Sequence, residues 1–265
     1  KGHVVNKNFV KFMRSLGVPE SEVKRLQIAS IREKELSEGP WVFTSRTTVT
    51  RIPTFIGMKL PENSELLDDV LNRENPPEQA IMAAKYLLDR GVYDFVDTYW
   101  SSSFGFKNRI IFPFKQGDRI VGYTGRDVTG NAESKYMTKQ PKDFLYNSDK
   151  IREDKTFLIV VEGTIDAAVL DCIAIMSNEA SQKQVDYINQ FKGEVVVCPD
   201  RDNAGKKLIH QAQENGWSVS FPIWEEHIKD AADAVNEYGK FYTLKSIIDG
   251  RISNSTKISV KTRIM

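Results

Sequence analysis

Phe157-Leu158-Ile159-Val160-Val161-Glu162-Gly163-Thr164-Ile165-Asp166 is the stretch on which the fold turns. Its first five residues are apolar and three of them are β-branched, the pattern of a strand covered on both faces. Glu162 falls just past the carboxyl end of that strand, and Gly163 permits a tight turn. Asp166 then lands in the first turn of a helix over Ile165–Leu170. Moving outward, the same alternation repeats, with a strand over Cys172–Met176 and a helix over Gln182–Phe191. A third strand over Val195–Cys198 and a helix over Ala204–Glu214 follow. Apolar strands alternating with helices predict a parallel sheet with helices on both faces, an α/β fold. The third strand runs directly into Pro199-Asp200-Arg201-Asp202-Asn203.

In open α/β sheets the side chains just beyond the carboxyl ends of the strands face the ligand crevice. Glu162, Asp200 and Asp202 are therefore expected to meet there, with Asp166 one turn further along. Alternate residues of an extended segment point the same way, so the Asp-x-Asp spacing sends both carboxylates to one place. An all-oxygen donor set suits Mg²⁺ or Mn²⁺ rather than zinc. Two such ions about 4 Å apart can clamp the attacking and leaving oxygens of a phosphoryl transfer. The chemistry implied is nucleotidyl transfer or phosphodiester cleavage. Any one of these acids also reads as a helix cap or first-turn acid, which the helix dipole favours by about 0.3–1 kcal/mol. Two strand ends in one βαβ run, each with a short acidic signature, are poorly explained by capping alone. Lys206 and Lys207 follow Gly205 at a helix start, where a phosphate is readily bound. Lys206 is the candidate contact and Lys207 reads as surface.

The rest of the 265 residues bounds these readings. The length predicts two packed subdomains. Residues 1–152 form an N-terminal mixed α+β basic subdomain, 153–239 the catalytic domain, and 240–265 a C-terminal helix and tail. Helical spacing marks Asn6–Gly17 and a second helix from Pro19 through Leu36, and Glu78–Arg90 reads as a helix ending at Gly91. Trp41–Met58 reads as strands broken by Pro53, and Glu62–Pro77 as a loop or subdomain seam. Arg109–Phe114 and Arg119–Tyr123 form a hairpin within an antiparallel platform. The tail Lys257–Arg263 alternates apolar with polar residues and reads as an edge strand or a loose end.

Composition is 40% hydrophobic and 28% charged, with a net charge of +1. No run approaches a membrane span, and the first ten residues carry no secretory signal, so a cytoplasmic protein is expected. Cys172 and Cys198 both lie in apolar runs, and His3, His210 and His227 are scattered, so no zinc-ligand spacing exists. Residues 107–150 hold nine Lys/Arg against five Asp/Glu, a net +4 inside a nearly neutral chain. Such segregation suits contact with phosphates. Trp41, Trp100, Trp217 and Trp224 are dispersed and read as core packing.

Val161-Glu162-Gly163-Thr164-Ile165-Asp166 followed by Asp200-Arg201-Asp202 resembles the paired signatures of the TOPRIM fold of primases, topoisomerases and some nucleases. Upstream, Asn108-Arg109-Ile110-Ile111-Phe112-Pro113-Phe114 and Ile120-Val121-Gly122-Tyr123-Thr124-Gly125-Arg126 resemble two elements of the DnaG-type primase core. Lys135-Tyr136 matches the basic-aromatic pair after them, and Ala84–Gly91 is similar to the helix that opens the core. The likeness runs from Gln79 to Gly239. It implies a TOPRIM parallel-sheet domain that makes short RNA primers on a single-stranded DNA template from ribonucleoside triphosphates. It also implies a replicative helicase as partner. Arg109, Arg126 and Lys135 become its nucleotide and template contacts, and Asp230 an additional metal-proximal acid that reads equally as a helix cap. Primases of this type usually carry an amino-terminal zinc module whose ligands are missing here, so a truncated or partial chain is expected. The size fits short bacteriophage primases, in which case the protein works in the cytoplasm of a bacterial host. Two other readings stand beside it, a metal-dependent TOPRIM nuclease and a noncatalytic nucleic-acid-binding module. A topoisomerase fits less well, because no tyrosine has a context that marks it as catalytic.

Overall fold

The computed structural model describes residues 10, 13–15, 17–26, 53–152, 154–202 and 205–264. The chain divides into two compact units, 1–46 and 47–265. In the first, residues 10, 13–15 and 20–26 are helical. Gly17, at φ +71°, ends the first helical stretch, with its amide on Arg14 O. The remainder of the two expected helices, and residues 41–52 of the expected strands, lie outside the described residues.

The second unit contains two five-stranded sheets. The antiparallel one is a meander in chain order: β1 (Ser64–Leu66), β2 (Tyr99–Ser101), β3 (Arg109–Gln116), β4 (Arg119–Asp127) and β5 (Tyr136–Lys139). The β3–β4 hairpin runs from Arg109 opposite Asp127 to Gln116 opposite Arg119, with a bulge at Phe114/Lys115. β1 and the helix α1 (Leu67–Leu71) lie in the segment expected to be a loop. Burial of Leu67 and Val70 in the core, rather than any clear local periodicity, gives this short helix its place. Pro53–Met58 has no strand, and the helix α2 (Glu78–Asp89) starts directly after Pro77.

The other sheet has the order β10-β9-β8-β6-β7. β6 (Phe157–Val161) pairs in parallel with β7 (Ile173–Ala174) and with β8 (Glu194–Val197), and β8 in parallel with β9 (Ser218–Ser220). β10 (Arg251–Ile252) closes one edge antiparallel to β9. Helices α3 (Thr164–Leu170), α4 (Gln182–Ile188) and α5 (Gly205–Glu214) make the crossovers. They are followed by α6 (Ala231–Tyr238), α7 (Lys240–Asp249) and α8 (Ser255–Arg263). The tail expected to be a strand or loose end is thus a helix. Asn254 Oδ1 accepts the Lys257 amide as its N-cap, and Ile258 is 1% exposed in the core. One buried anchor and a cap outweigh an alternating pattern only a few residues long.

Strand alternation splits the core. Ile159, Val161, Val196 and Cys198 face one cluster that also takes Ile110, Phe112 and Phe114 from the antiparallel sheet and Ala80, Ala83 and Leu87 from α2. Leu158, Val160, Val195 and Val197 face a second cluster under α4, α5 and α8. The first cluster is continuous between the two sheets, so it fixes the antiparallel platform against the parallel one. An isolated antiparallel bridge between Tyr146 and Ala174 ties the connecting segment to the edge strand β7. No helix among the described residues is long and apolar enough to cross a membrane.

Candidate active site

The parallel register sets Glu162 and Asp200 side by side. β6 and β8 pair from Phe157/Glu194 to Val160/Val197, so both chains leave the sheet at the same edge. There Glu162 Oε1 accepts the backbone N–H of Asp200 at 3.2 Å. Gly205 closes the back of this pair, because a Cβ at that position would stand 2.3 Å from the Asp200 carbonyl oxygen and 3.2 Å from Glu162 Oε1. Asp202 accepts the Gly205 amide at 3.0 Å and so caps the start of α5. Its exposed side chain lies on the solvent side of the loop, and Lys206 is half-buried in the helix turn that follows.

Arg201, between the two aspartates, points the other way. Its guanidinium donates to the carbonyls of Pro222, Trp224, Glu225 and Ile228 and lies 5.3 Å from the Trp224 ring centroid. Arg201 thus fixes the loop from below, while Asp200 stays beside Glu162 and Asp202 caps α5.

Asp166 is 7% exposed in the first turn of α3, where its Oδ1 accepts the Ala232 amide at 2.8 Å. The α6 N-terminus is thereby pinned to α3. Asp230 caps α6 by accepting the Asp233 amide at 2.7 Å, and its other oxygen accepts from Arg90 Nη2 at 3.1 Å. Arg90 Nη1 donates to Asp233 at 2.5 Å. Asp230, read as a metal-proximal acid or a cap, caps α6 with both oxygens engaged and also lies close enough to Asp200 and Asp166 to raise them.

These acids crowd one another. Burial pushes the Glu162 carboxyl up to about 7, with Asp202 and Asp166 adding to the rise and the Asp200 amide opposing it. Burial likewise pushes Asp200 up to about 7, reinforced by Glu162, Asp230, Asp202 and Asp233. Asp166 is raised well above the usual carboxylate range, by burial first and then by Asp230 and Asp200. Such uncompensated negative charge, carried by oxygen donors alone, fits a hard divalent cation. Glu162 and Asp200, with Asp202 close enough to raise both, are the residues that could hold one. Among the described residues no three His, Cys, Asp or Glu side chains are already gathered closely enough to coordinate an ion.

The basic residues expected to line the crevice separate into two kinds. Arg109 is 7% exposed, and its guanidinium donates to the carbonyls of Gly125, Ser134 and Lys135. It does not project toward the acids as expected. Buried in β3, it finds its acceptors in the strand and loop beside it. Arg126 is different: its guanidinium lies 5.3 Å from the Tyr86 ring centroid and 4.7 Å from that of Tyr136. One nitrogen donates to Tyr136 OH, while its buried Nε has no partner. Lys135 is lowered by burial and then by Arg126 and Arg90, while Asp230 raises it. The Tyr136 hydroxyl in turn is influenced by Asp166. Lys135 and Tyr136 therefore stand within electrostatic reach of Asp230 and Asp166, and Arg126 lies beside both.

Arg90, Asp233 and Tyr86 were not marked by the sequence. Arg90 at the end of α2 reads as an ordinary helix-terminal cation, and its acidic partners lie 140 and 143 residues away. Trp100, Trp217 and Trp224 are buried, each with its indole N–H hydrogen-bonded within the protein, in keeping with packing roles.

Comparison with known proteins gives the same arrangement. A family model described as the DNA primase catalytic core, N-terminal domain, matches residues 44–151, and a Toprim-like model matches residues 159–238. The DNA primase of Staphylococcus epidermidis is 32% identical over 163 residues, which cover 56% of this chain and 26% of that protein. The DNA primase of Staphylococcus aureus strain COL is 27% identical over 197 residues, covering 68% and 32%. This chain thus spans about a quarter to a third of the length of those relatives. In fold it is similar to the RNA polymerase domain of Mycobacterium tuberculosis primase DnaG, with a TM-score of 0.56 at 14% identity over 71% of this chain and 80% of that one. With the primase core domain and the Toprim domain in tandem, the chain belongs to the DnaG-type TOPRIM primase family.

Proposed function

We propose that this chain is the RNA-polymerising core of a DNA primase, joining ribonucleoside triphosphates into short primers on single-stranded DNA. The observation that carries the proposal is that Lys135 and Tyr136 of the antiparallel platform, with Arg126 beside them, come within electrostatic reach of Asp230 and Asp166, the acids that in turn raise Asp200 and Glu162. A nuclease needs the acids, whereas a polymerase also needs a surface that holds a strand and a triphosphate beside them.

Glu162, Asp200 and Asp202 would hold divalent metal, Mg²⁺ or Mn²⁺, in one or two sites. When bound, it would lower the pKa of the initiating 3′-hydroxyl and neutralise the triphosphate. The chain's own residues do the positioning. Arg126, its guanidinium beside the Tyr86 and Tyr136 rings, would offer its terminal nitrogens to a phosphate oxygen, and Lys135 would add a point charge. Lys206, at the N-terminal turn of α5, is placed for a second phosphate. Asp166 and Asp230 fix the α6 terminus and so set the far wall of the crevice. A replicative helicase is the proposed protein partner and the cytoplasm the proposed location, both on family grounds. A catalytic domain over 153–239, between a basic subdomain and a C-terminal helical tail, is the proposed division of labour.

Incubation with single-stranded DNA, labelled ribonucleotides and Mg²⁺ or Mn²⁺ tests this directly. Short template-dependent RNA products are expected. Shortening of the template without RNA synthesis would replace the proposal with the nuclease. Binding without either reaction would replace it with the noncatalytic module.

A further inference from the structure

The loop between β2 and β3, residues 102–108, carries the most exposed aromatic ring among the described residues, Phe104 at 91%. The ring is not on a loose segment. Ser101 Oγ donates to the Glu62 carbonyl, and the amides of Phe106 and Lys107 both donate to the Ser103 carbonyl at 2.9 Å. Trp100 Nε1 donates to the Lys107 carbonyl, also at 2.9 Å. Phe106 packs edge-on against Tyr123, with ring centroids 5.8 Å apart, and lies so close over Gly125 that a Cβ there would stand 2.9 Å from it. Both ends of the loop are thereby fixed to the sheet. Phe104 is held out into solvent, with Lys107 Nζ 5.6 Å from its ring centroid.

Charge and continuity say what would meet this ring. Between residues 98 and 117 the chain holds Lys107, Arg109 and Lys115 and no Asp or Glu, and between 134 and 142 it holds Lys135, Lys139 and Lys142 and again no acid. Such a surface favours phosphate. The strand register puts Tyr123, Gly125, Met137 and Lys139 on one face of the sheet and Arg126 and Tyr136 on the other. Phe106 therefore covers the face turned away from Arg126, where Met137 and Lys139 are exposed. β5 is the edge strand, and all four of its residues are exposed. Because Tyr136 and Met137 point to opposite faces, a chain leaving Arg126 reaches the Phe106 face by passing round a single strand, about 5 Å across. Exposed rings interleaved with lysines hold single strands by stacking bases while the cations track the phosphates.

We propose that Phe104 is a stacking platform for an unpaired base of the single-stranded DNA template, on the flank that lies outside the crevice, with Lys107 and Lys139 meeting its phosphates. The assignment rests on the primase reading of the adjoining crevice. The template is favoured over the RNA because a primer is paired to its template where it is made, so the bases free to stack beyond the crevice belong to the DNA. A duplex keeps its bases in its own stack and offers none to the ring. Since every base has a π-face, one exposed ring holds the strand without reading its sequence.

Phe104→Ala and Phe104→Trp are compared with wild type on single-stranded oligodeoxynucleotides of increasing length, with binding read by anisotropy over a range of salt. The ring is almost wholly exposed, so both variants should melt with wild type. Once the strand is long enough to reach the loop, Phe104→Ala should bind about tenfold more weakly, the scale of one base–aromatic stack. Its slope of log affinity against log salt should not change, because no charge is lost. Lys107→Ala should instead flatten that slope by about one. Phe104→Trp should keep the affinity, and its added indole fluorescence should be quenched by single strands but not by a duplex. Binding by Phe104→Ala within twofold of wild type at every length, or an indole that no single strand quenches, overturns the platform. Stronger quenching by RNA than by DNA of the same sequence overturns its assignment to the template. The binding readouts need no primer synthesis, so a chain that passes them but makes no RNA would sink the polymerase reading and leave the platform standing.

Discussion

The two sheets handle charge in opposite ways. At the ends of the parallel strands β6 and β8, no described basic side chain bonds Glu162 or Asp200, and both carboxyls are pushed up to about 7. On the antiparallel sheet the corresponding groups are satisfied internally. Arg109 is spent on three carbonyls, and Asp127 accepts from Thr129 Oγ1 and from the Gly130 amide. The contrast teaches that the parallel edge is held away from its electrostatic optimum, whereas Arg109 and Asp127 serve the platform's own backbone. Of the platform's expected contacts, Lys135 feels Asp230, and Arg126 lies beside it.

The sharpest way to break this contrast is Asp200→Asn. If Asp200 is retained for its charge rather than for folding, the variant should lose template-directed synthesis by about a thousandfold or more, since metal-assisted stabilisation amounts to several kcal/mol. Its melting temperature without metal should stay level or rise, because an unfavourable charge has been removed. Synthesis at wild-type rate, or a marked fall in melting temperature, would make Asp200 a structural acid after all.

Arg109→Ala probes the other half. Three backbone carbonyls lose their donor, and a destabilisation of about 3 kcal/mol is expected from the urea midpoint. Arg109→Lys should recover only part of it, because one ammonium cannot span carbonyls on β4 and on the loop before β5. A fully stable Arg109→Ala protein with impaired nucleotide binding would return this residue to the crevice.

The pH dependence of stability sharpens the comparison at the acidic edge. Glu162 and Asp200 titrate near their ordinary values of 4.5 and 3.8 when unfolded, but near 7 when folded. Between about pH 4 and pH 7 the native state therefore binds more protons than the unfolded one, so stability falls as pH rises through that window. The stability present below pH 4 is fully lost only above 7. Since both groups keep contact with solvent, a total of about 2 kcal/mol is expected. Chemical melts in metal-free buffer should show this slope, and Asp200→Asn should flatten it. Adding Mg²⁺ at pH 8 should restore stability, because it selects the ionised native site.

How much of this was legible beforehand follows the same division. The parallel sheet was readable because each strand is a continuous apolar run, and because parallel pairing forces consecutive strand ends to one edge. That Glu162 and Asp200 lie side by side followed from strand position alone. The platform's roles were not readable, since Arg109 and Arg126 stand in similar contexts, one register step apart on the two strands at the open end of one hairpin. Which of them faces inward depends on Ser134 and Lys135 folding back over β3, a tertiary fact. Arg90 was invisible for the same reason, its partners being distant in sequence. The tail failed through brevity, nine residues being too few for a period to speak against a cap and one buried isoleucine.

The smallest expected effect tests what distinguishes Arg126 from Arg109. Arg126→Lys keeps the positive charge but gives up the planar group between Tyr86 and Tyr136 and the unpaired Nε–H edge. If the terminal nitrogens of the guanidinium serve a phosphate, affinity for ribonucleoside triphosphate should fall about tenfold, the scale of one charge-assisted hydrogen bond. Stability should change by less than about 0.5 kcal/mol, because the side chain bonds no backbone carbonyl. Tyr136→Phe, which removes the hydroxyl but keeps the ring, should cost less than the lysine variant. A large loss of stability in Arg126→Lys with unchanged nucleotide affinity would erase the distinction, leaving both arginines as framework and Lys135 as the platform's one expected contact toward the crevice.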